Sequence, residues 1–138
     1  MKRLKIVILI IISFASGTMA HAMYNRAAVS DEQRAPLRVV SGQASWYSEQ
    51  SPGVRPTTAN MEIFDDSAMT CAMWDVPFGQ KLKVTNIKNG RSVIVRVNDR
   101  GPHKRYVRRG RVIDLSKGAF QKLSDPDNGL ISVRVQFL

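Results

Sequence analysis

The chain has 138 residues, and its 21 Lys and Arg against 11 Asp and Glu give a net charge of +10. One cysteine excludes an internal disulfide, and one Cys with two His is too few ligands for an ordinary zinc site, so stability must come from packing and any catalysis from side chains without a metal. The positive balance suits anionic partners such as cell-wall polymers, lipid head groups or extracellular nucleic acid, or serves solubility alone, and charge does not choose among these.

Lys2, Arg3 and Lys5 precede an apolar run from Ile6 to Ala15 and small residues ending in Ala20-His21-Ala22. That is the order of a secretory signal peptide, and the run is short for a spanning helix, which needs about 20 residues. Export with removal of residues 1–22 is therefore expected, with an uncleaved N-terminal anchor as the alternative. With no cysteine near the cleavage region, attachment through a lipidated cysteine is not expected. Removal takes three basic and no acidic residues, leaving +7 over 116 residues, which fits one domain with a modest core. Residues 23–37 mix polar, charged and Ala residues without a period and read as a flexible leader; the folded domain is expected over 38–138.

Short β-like runs then alternate with turns. Val39-Val40 precedes Gly42, Ala44 to Tyr47 ends in aromatics, and Ser51-Pro52-Gly53 and Arg55-Pro56 mark a loop continuing through Thr58. Lys81 to Val84 alternates at period two, Asn89-Gly90 is a type I′ hairpin signal, and Val93 to Val97 continues as an apolar strand, which predicts an antiparallel hairpin. Val112 to Leu115 reads as a strand, and Ser116 is placed to cap a helix through Leu123 with Ala119, Phe120 and Leu123 on one face. Ile131, Val133, Val135 and Phe137 alternate with polar residues as a half-buried strand. Many short strands with one small helix predict a compact barrel.

The second hairpin strand delivers Asp99 to a strand end between Asn98 and Arg100, just before Gly101-Pro102. Such a position presents a carboxylate for chemistry, and it equally suits an Asp that only caps a turn. Trp46, Tyr47 and Trp74 could stack on sugar rings or fill the core; the core reading is favoured for Trp46. Cys71 and Met69 most simply fill the core. Lys104, Arg105, Arg108, Arg109 and Arg111 form a dense basic loop, either an electrostatic guide or a solvated surface.

Six ordered motifs resemble the rare lipoprotein A group of bacterial lytic transglycosylases over about Gly42 to Leu138. They are Gly42-Gln43-Ala44-Ser45-Trp46-Tyr47, Thr58-Ala59-Asn60-x-Glu62, Pro77-Phe78-Gly79 and Val84-Thr85-Asn86 with Asn89-Gly90-Arg91. Asn98-Asp99-Arg100-Gly101-Pro102 and Arg111-Val112-Ile113-Asp114-Leu115-Ser116 complete the set. The resemblance implies a mainly β fold, a six-stranded double-psi β-barrel with one or two short helices. It also implies cleavage of the β-1,4 bond between N-acetylmuramic acid and N-acetylglucosamine, leaving a 1,6-anhydromuramyl end. One carboxylic acid can serve there as acid and then base, because the sugar's own 6-hydroxyl attacks in place of water.

By that resemblance Asp99 is the catalytic residue, with Glu62, Thr58, Asn98, Arg100, Tyr47 and His103 expected around the substrate. Glu62 reads as a partner for sugar hydroxyls or for Asp99, or as a solvated loop acid; Asp114 is expected to order the cleft or helix start. An Arg100 side chain alongside Asp99 would oppose a raised pKa unless it points elsewhere. The family's Thr-Ala-Ala-His is here Thr70-Cys71-Ala72-Met73, and Met61 stands where a glycine is usual. Met73 cannot donate a hydrogen bond or carry charge. His103 could substitute, although a loop histidine in a basic stretch is more often solvated.

The expected partner is peptidoglycan glycan strands, in the periplasm or the extracellular cell wall. No cofactor, no metal, no nucleic acid and no stable membrane anchor are expected, and the protein is expected to be a monomer. A non-catalytic, expansin-like module that binds or loosens wall glycan is the alternative, and a basic scaffold or nucleic-acid binder ranks third.

Overall fold

The computed structural model describes residues 37–138; the expected signal peptide and nearly all of the expected leader lie outside the described residues. Six strands close into a barrel: β1 (Val39–Tyr47), β2 (Thr70–Ala72), β3 (Lys81–Asn86), β4 (Ser92–Asp99), β5 (Arg111–Ser116) and β6 (Ile131–Phe137), in the order β1-β5-β2-β4-β3-β6. β1 with β5 and β2 with β4 are parallel, and the other neighbours are antiparallel. Closure leaves no unpaired sheet edge.

Alternation sets the faces. Leu82 and Val84 of β3, Val95 and Val97 of β4, and Val133 and Val135 of β6 point inward, where they meet Ile113 and Leu115 of β5. Helix α1 spans Lys104–Val107, and helix α2 (Lys117–Leu123) adds Ala119, Phe120 and Leu123 to the same core. Its N-cap is Ser116, whose Oγ accepts from the Ala119 N–H at 3.3 Å, as the sequence predicts. A cavity left by truncating a fully buried leucine such as Leu82 costs about 2–5 kcal/mol.

Several elements differ from the sequence reading. Gly42 lies inside β1 rather than ending it, because the strand passes so close to β5 that a Cβ there would stand 2.5 Å from Val112 Cγ1 and 2.8 Å from the Gly110 carbonyl. β2 was invisible: three buried residues, Thr70, Cys71 and Ala72, carry no alternation to detect. The basic stretch opens with the single-turn helix α1, where His103 Nδ1 accepts from the Arg105 N–H at 3.3 Å.

The β3–β4 hairpin forms, but through a longer loop than the predicted two-residue turn. Asn86 N–H donates to the Arg91 carbonyl, and Gly90, at φ 75°, returns its N–H to Asn86. The side-chain amides of Asn86 and Asn89 both donate to the carbonyl of Leu123 at the end of α2, which holds the wider loop against the helix.

Candidate active site

The barrel's strand order brings two acids together. Ala72 of β2 is registered with Asp99 of β4 on one side and Asp114 of β5 on the other. Two strand spacings place their Cα atoms at most about 10 Å apart. Gly101 closes over this pair: a Cβ on it would lie 3.1 Å from Ala72 Cβ and 3.4 Å from Asp114 Oδ2. Both acids line an open cleft of about 680 Å³, together with Tyr47, Arg55, Thr58, Met61, Arg100 and His103.

The loop that carries Thr58 is folded by its own polar residues. Thr58 Oγ1 donates to Asn60 Oδ1 at 2.6 Å, Asn60 Nδ2 to Glu62 Oε1 at 2.7 Å, and the Asn60 N–H to the Asn98 carbonyl at 3.2 Å. Arg96 grips Glu62 with two guanidinium hydrogen bonds of 2.7 and 2.8 Å, and Asn98 Nδ2 adds a third donor at 3.1 Å. Arg96 first, then Asn98 and Asn60, hold the Glu62 carboxyl down to about 2. Met61 turns the chain at φ 71°, a left-handed conformation that suits glycine and that a side-chain-bearing residue adopts at a cost of roughly 1–2 kcal/mol.

The result is that the Ala59 N–H points at Asp99. Asp99 Oδ1 accepts from Ala59 N at 2.9 Å and from its neighbour Arg100 N at 2.8 Å. With Oδ1 committed to two donors, a proton on this carboxyl belongs on Oδ2, which has no protein partner among the described residues.

Asp114 has a different environment. Its Oδ1 accepts from Ser45 Oγ at 2.5 Å and lies 3.8 Å from Arg111 Nη1. Burial is the main influence on its carboxyl and, helped by the negative charge of Asp99, raises its proton affinity, against the opposing effects of Ser45 and Arg111. The Tyr47 ring stacks on Phe64 with centroids 4.7 Å apart, and its hydroxyl is buried without a partner among the described residues. Burial first, then the charges of Asp99, Cys71 and Asp114, push that phenol upward, so it stays protonated.

Arg100 does not face Asp99 as an ion pair. Its guanidinium lies 3.7 Å from the Phe78 ring centroid and donates to the Met73 carbonyl at 3.1 Å. Met73 donates its N–H to the Asp99 carbonyl, while its side chain is buried in the core and does not line the cleft.

Of the residues expected around a substrate, the cleft gathers Thr58, Tyr47, Arg100 and His103 beside Asp99. Glu62 and Asn98 sit elsewhere: they form the clamp behind the loop, where Glu62 pairs with Arg96 rather than with Asp99 and keeps its side chain half-exposed. From the sequence Asp114 is expected only to order the cleft or helix start, and neither Ser45 nor the Ala59 N–H stands out there. The available signal was an acid set directly between two core residues, Ile113 and Leu115. Outside the cleft, Glu49, Asp65 and Asp66 bring carboxylates within 4.8 Å of one another, but Asp65 and Asp66 already accept from the Ser67 and Glu49 N–H groups.

Comparison with known proteins accords with the barrel fold. The family model for double-psi barrel proteins described as lytic transglycolase matches residues 39–135. The probable endolytic peptidoglycan transglycosylase RlpA of Synechocystis is 45% identical over 101 residues, covering 73% of this chain and 30% of that protein. The endolytic peptidoglycan transglycosylase RlpA of Neisseria meningitidis serogroup B is 39% identical over 122 residues, covering 84% and 48%. This chain thus spans between about a third and a half of those relatives' lengths. Among solved structures, Streptomyces papain inhibitor is similar with a TM-score of 0.57 at 25% identity, covering 75% of this chain and 97% of that one. An expansin of Clavibacter michiganensis shares the fold with a TM-score of 0.56 at 24% identity, covering 73% and 50%. A six-stranded closed barrel, two acids astride its shortest strand and a family match across nearly all of the barrel place the chain in the double-psi β-barrel lytic transglycosylase family, alongside the RlpA proteins.

Proposed function

We propose that this chain is a peptidoglycan lytic transglycosylase acting outside the cytoplasm, with Asp99 as its acid/base. The observation that carries the reading is the Asp99 carboxyl in the cleft, with Oδ1 fixed by two backbone N–H groups and Oδ2 unengaged. Asp99 Oδ2 gives its proton to the glycosidic oxygen as the bond from the muramyl C1 breaks, releasing the N-acetylglucosamine 4-hydroxyl. The muramyl 6-hydroxyl oxygen then closes on C1 and returns its proton to Asp99, so the carboxyl ends as it began. Asp114, one strand beyond Ala72, sets the local charge; Tyr47, Thr58, Arg100 and His103 contact the strand.

The test is digestion of sacculi and of strands stripped of stem peptides. Release of 1,6-anhydro products by the protein, reduced about 10³-fold in Asp99→Asn, is the expected result. Intact binding with no such product from either substrate would defeat the proposal.

Met73 favours a second reading, a wall-binding module without catalysis, because the family's cleft histidine is replaced by a side chain turned into the core. A sharp rise in cleavage in Met73→His would identify the missing group as a handicap to an enzyme; binding without cleavage in both proteins would favour the module.

A further inference from the structure

The aromatic rings outside the cleft are unequally covered. Among the described residues, Lys117 lies over Trp46, Arg38 over Phe137, Arg100 over Phe78, and both Arg105 and Arg111 over Tyr106. Tyr47 and Phe64 cover each other, and Phe120 is fully buried. Among the described residues, Trp74 alone is 39% exposed with no cation or ring stacked on it. Its indole is fixed nonetheless, because Nε1 donates to the Pro102 carbonyl at 2.6 Å.

Around that ring lies a groove of about 510 Å³ lined by Trp74, Asp75, Lys104, Val107 and Arg108, a size common among ligand sites. Neither Lys104 nor Arg108 takes part in a salt bridge among the described residues. The groove adjoins the Asp99 cleft: Arg100 and His103 line the cleft, Pro102 between them holds Trp74, and Lys104 belongs to the groove. One short loop is thus the wall between the two.

We propose that this groove is a second subsite for the glycan strand, taking a carboxylate-bearing sugar next to the one held in the cleft; it rests on the glycan reading above. The C–H face of a pyranose packs on the fixed indole and on Val107, as apolar faces pack on aromatic rings. Lys104 and Arg108 receive the carboxylate, which comes either from the sugar's lactyl group or from an attached peptide. Asp75 accepts from a sugar hydroxyl and opposes a second negative charge.

The test measures binding in an Asp99→Asn background, which leaves every probe uncut. The probes are neutral chitohexaose, soluble strands stripped of stem peptides, and soluble strands that retain them. A carboxylated probe should bind about fivefold more tightly than chitohexaose at low salt, the gain that two exposed ion pairs supply. An advantage already present in stripped strands assigns the lactyl carboxylate; one confined to peptide-bearing strands assigns the peptide. The double variant Lys104→Gln, Arg108→Gln should erase the advantage and leave chitohexaose binding within about twofold, at an unchanged melting temperature. Trp74→Ala should weaken all three probes together, and Trp74→Phe should restore part of the loss.

Equal binding of charged and neutral probes, or a double variant that keeps the preference, overturns the subsite. Failure of the wild-type protein to cleave any strand, with these binding differences intact, would defeat the enzyme and spare the subsite.

Discussion

Two regions at the same end of the barrel treat carboxylates in opposite ways. In the clamp, Glu62 is surrounded by Arg96, Asn60 and Asn98, and its proton affinity falls. In the cleft, Asp99 keeps one oxygen unengaged, and Asp114 is held by burial at raised proton affinity with Ser45 as its hydrogen-bond donor. A carboxylate saturated with donors is an anchor; one left partly unsatisfied can move a proton. The clamp also serves the cleft, since it shapes the loop whose Ala59 N–H orients Asp99.

The strongest break in this contrast is Glu62→Ala. It should lower cleavage by about tenfold through kcat, although Glu62 is outside the cleft, because Ala59 would no longer be held against Asp99. Stability should fall by about 1–2 kcal/mol, mostly from stranding the buried Asn98 amide, since the half-exposed Arg96 pair adds little. A Glu62→Ala protein with unaltered kcat would separate the clamp from the chemistry.

Its pH dependence sharpens the point. Glu62 is depressed in the folded protein, so its contribution is complete above its ordinary value of 4.5 and is lost as pH falls toward about 2. Thermal unfolding followed across that window should show a drop that Glu62→Gln lacks.

Next in size is Ser45→Ala. Ser45 lowers the proton affinity of Asp114, so its removal should raise it further, and any limb of the pH–rate profile belonging to Asp114 should move to higher pH. An unshifted profile would separate Asp114 from the reaction. The smallest effect expected is from Met61→Gly, which relieves a left-handed backbone and should stabilise the fold by about 1 kcal/mol in a denaturant titration.

Much of the barrel was legible because its longer strands alternate and α2 carries its own cap. The strand that organises the site was not. Thr70, Cys71 and Ala72 are buried on every side, and three such residues carry neither period nor propensity enough to register. For the same reason the sequence shows Asp99 at a strand end but not that Asp114 is its neighbour across Ala72, which follows only from non-local pairing. Glu62 and Asn98 belong to motifs that match the family, yet a motif says nothing of which side of a loop its polar groups face. That Arg96 and Asn98 both converge on the Glu62 carboxylate is a tertiary fact.

The close approach of Ala72 and Gly101 sets a limit on what this barrel end can become. A side chain on Gly101 would have to push against the Ala72 Cβ, 3.1 Å away, and would touch the Asp114 carboxylate. The depth of the groove between the acids is therefore fixed by two of the smallest residues in the chain. Variants that reshape substrate preference are better sought in the outer lip, at Arg55 or the 79% exposed Met61, than in its floor.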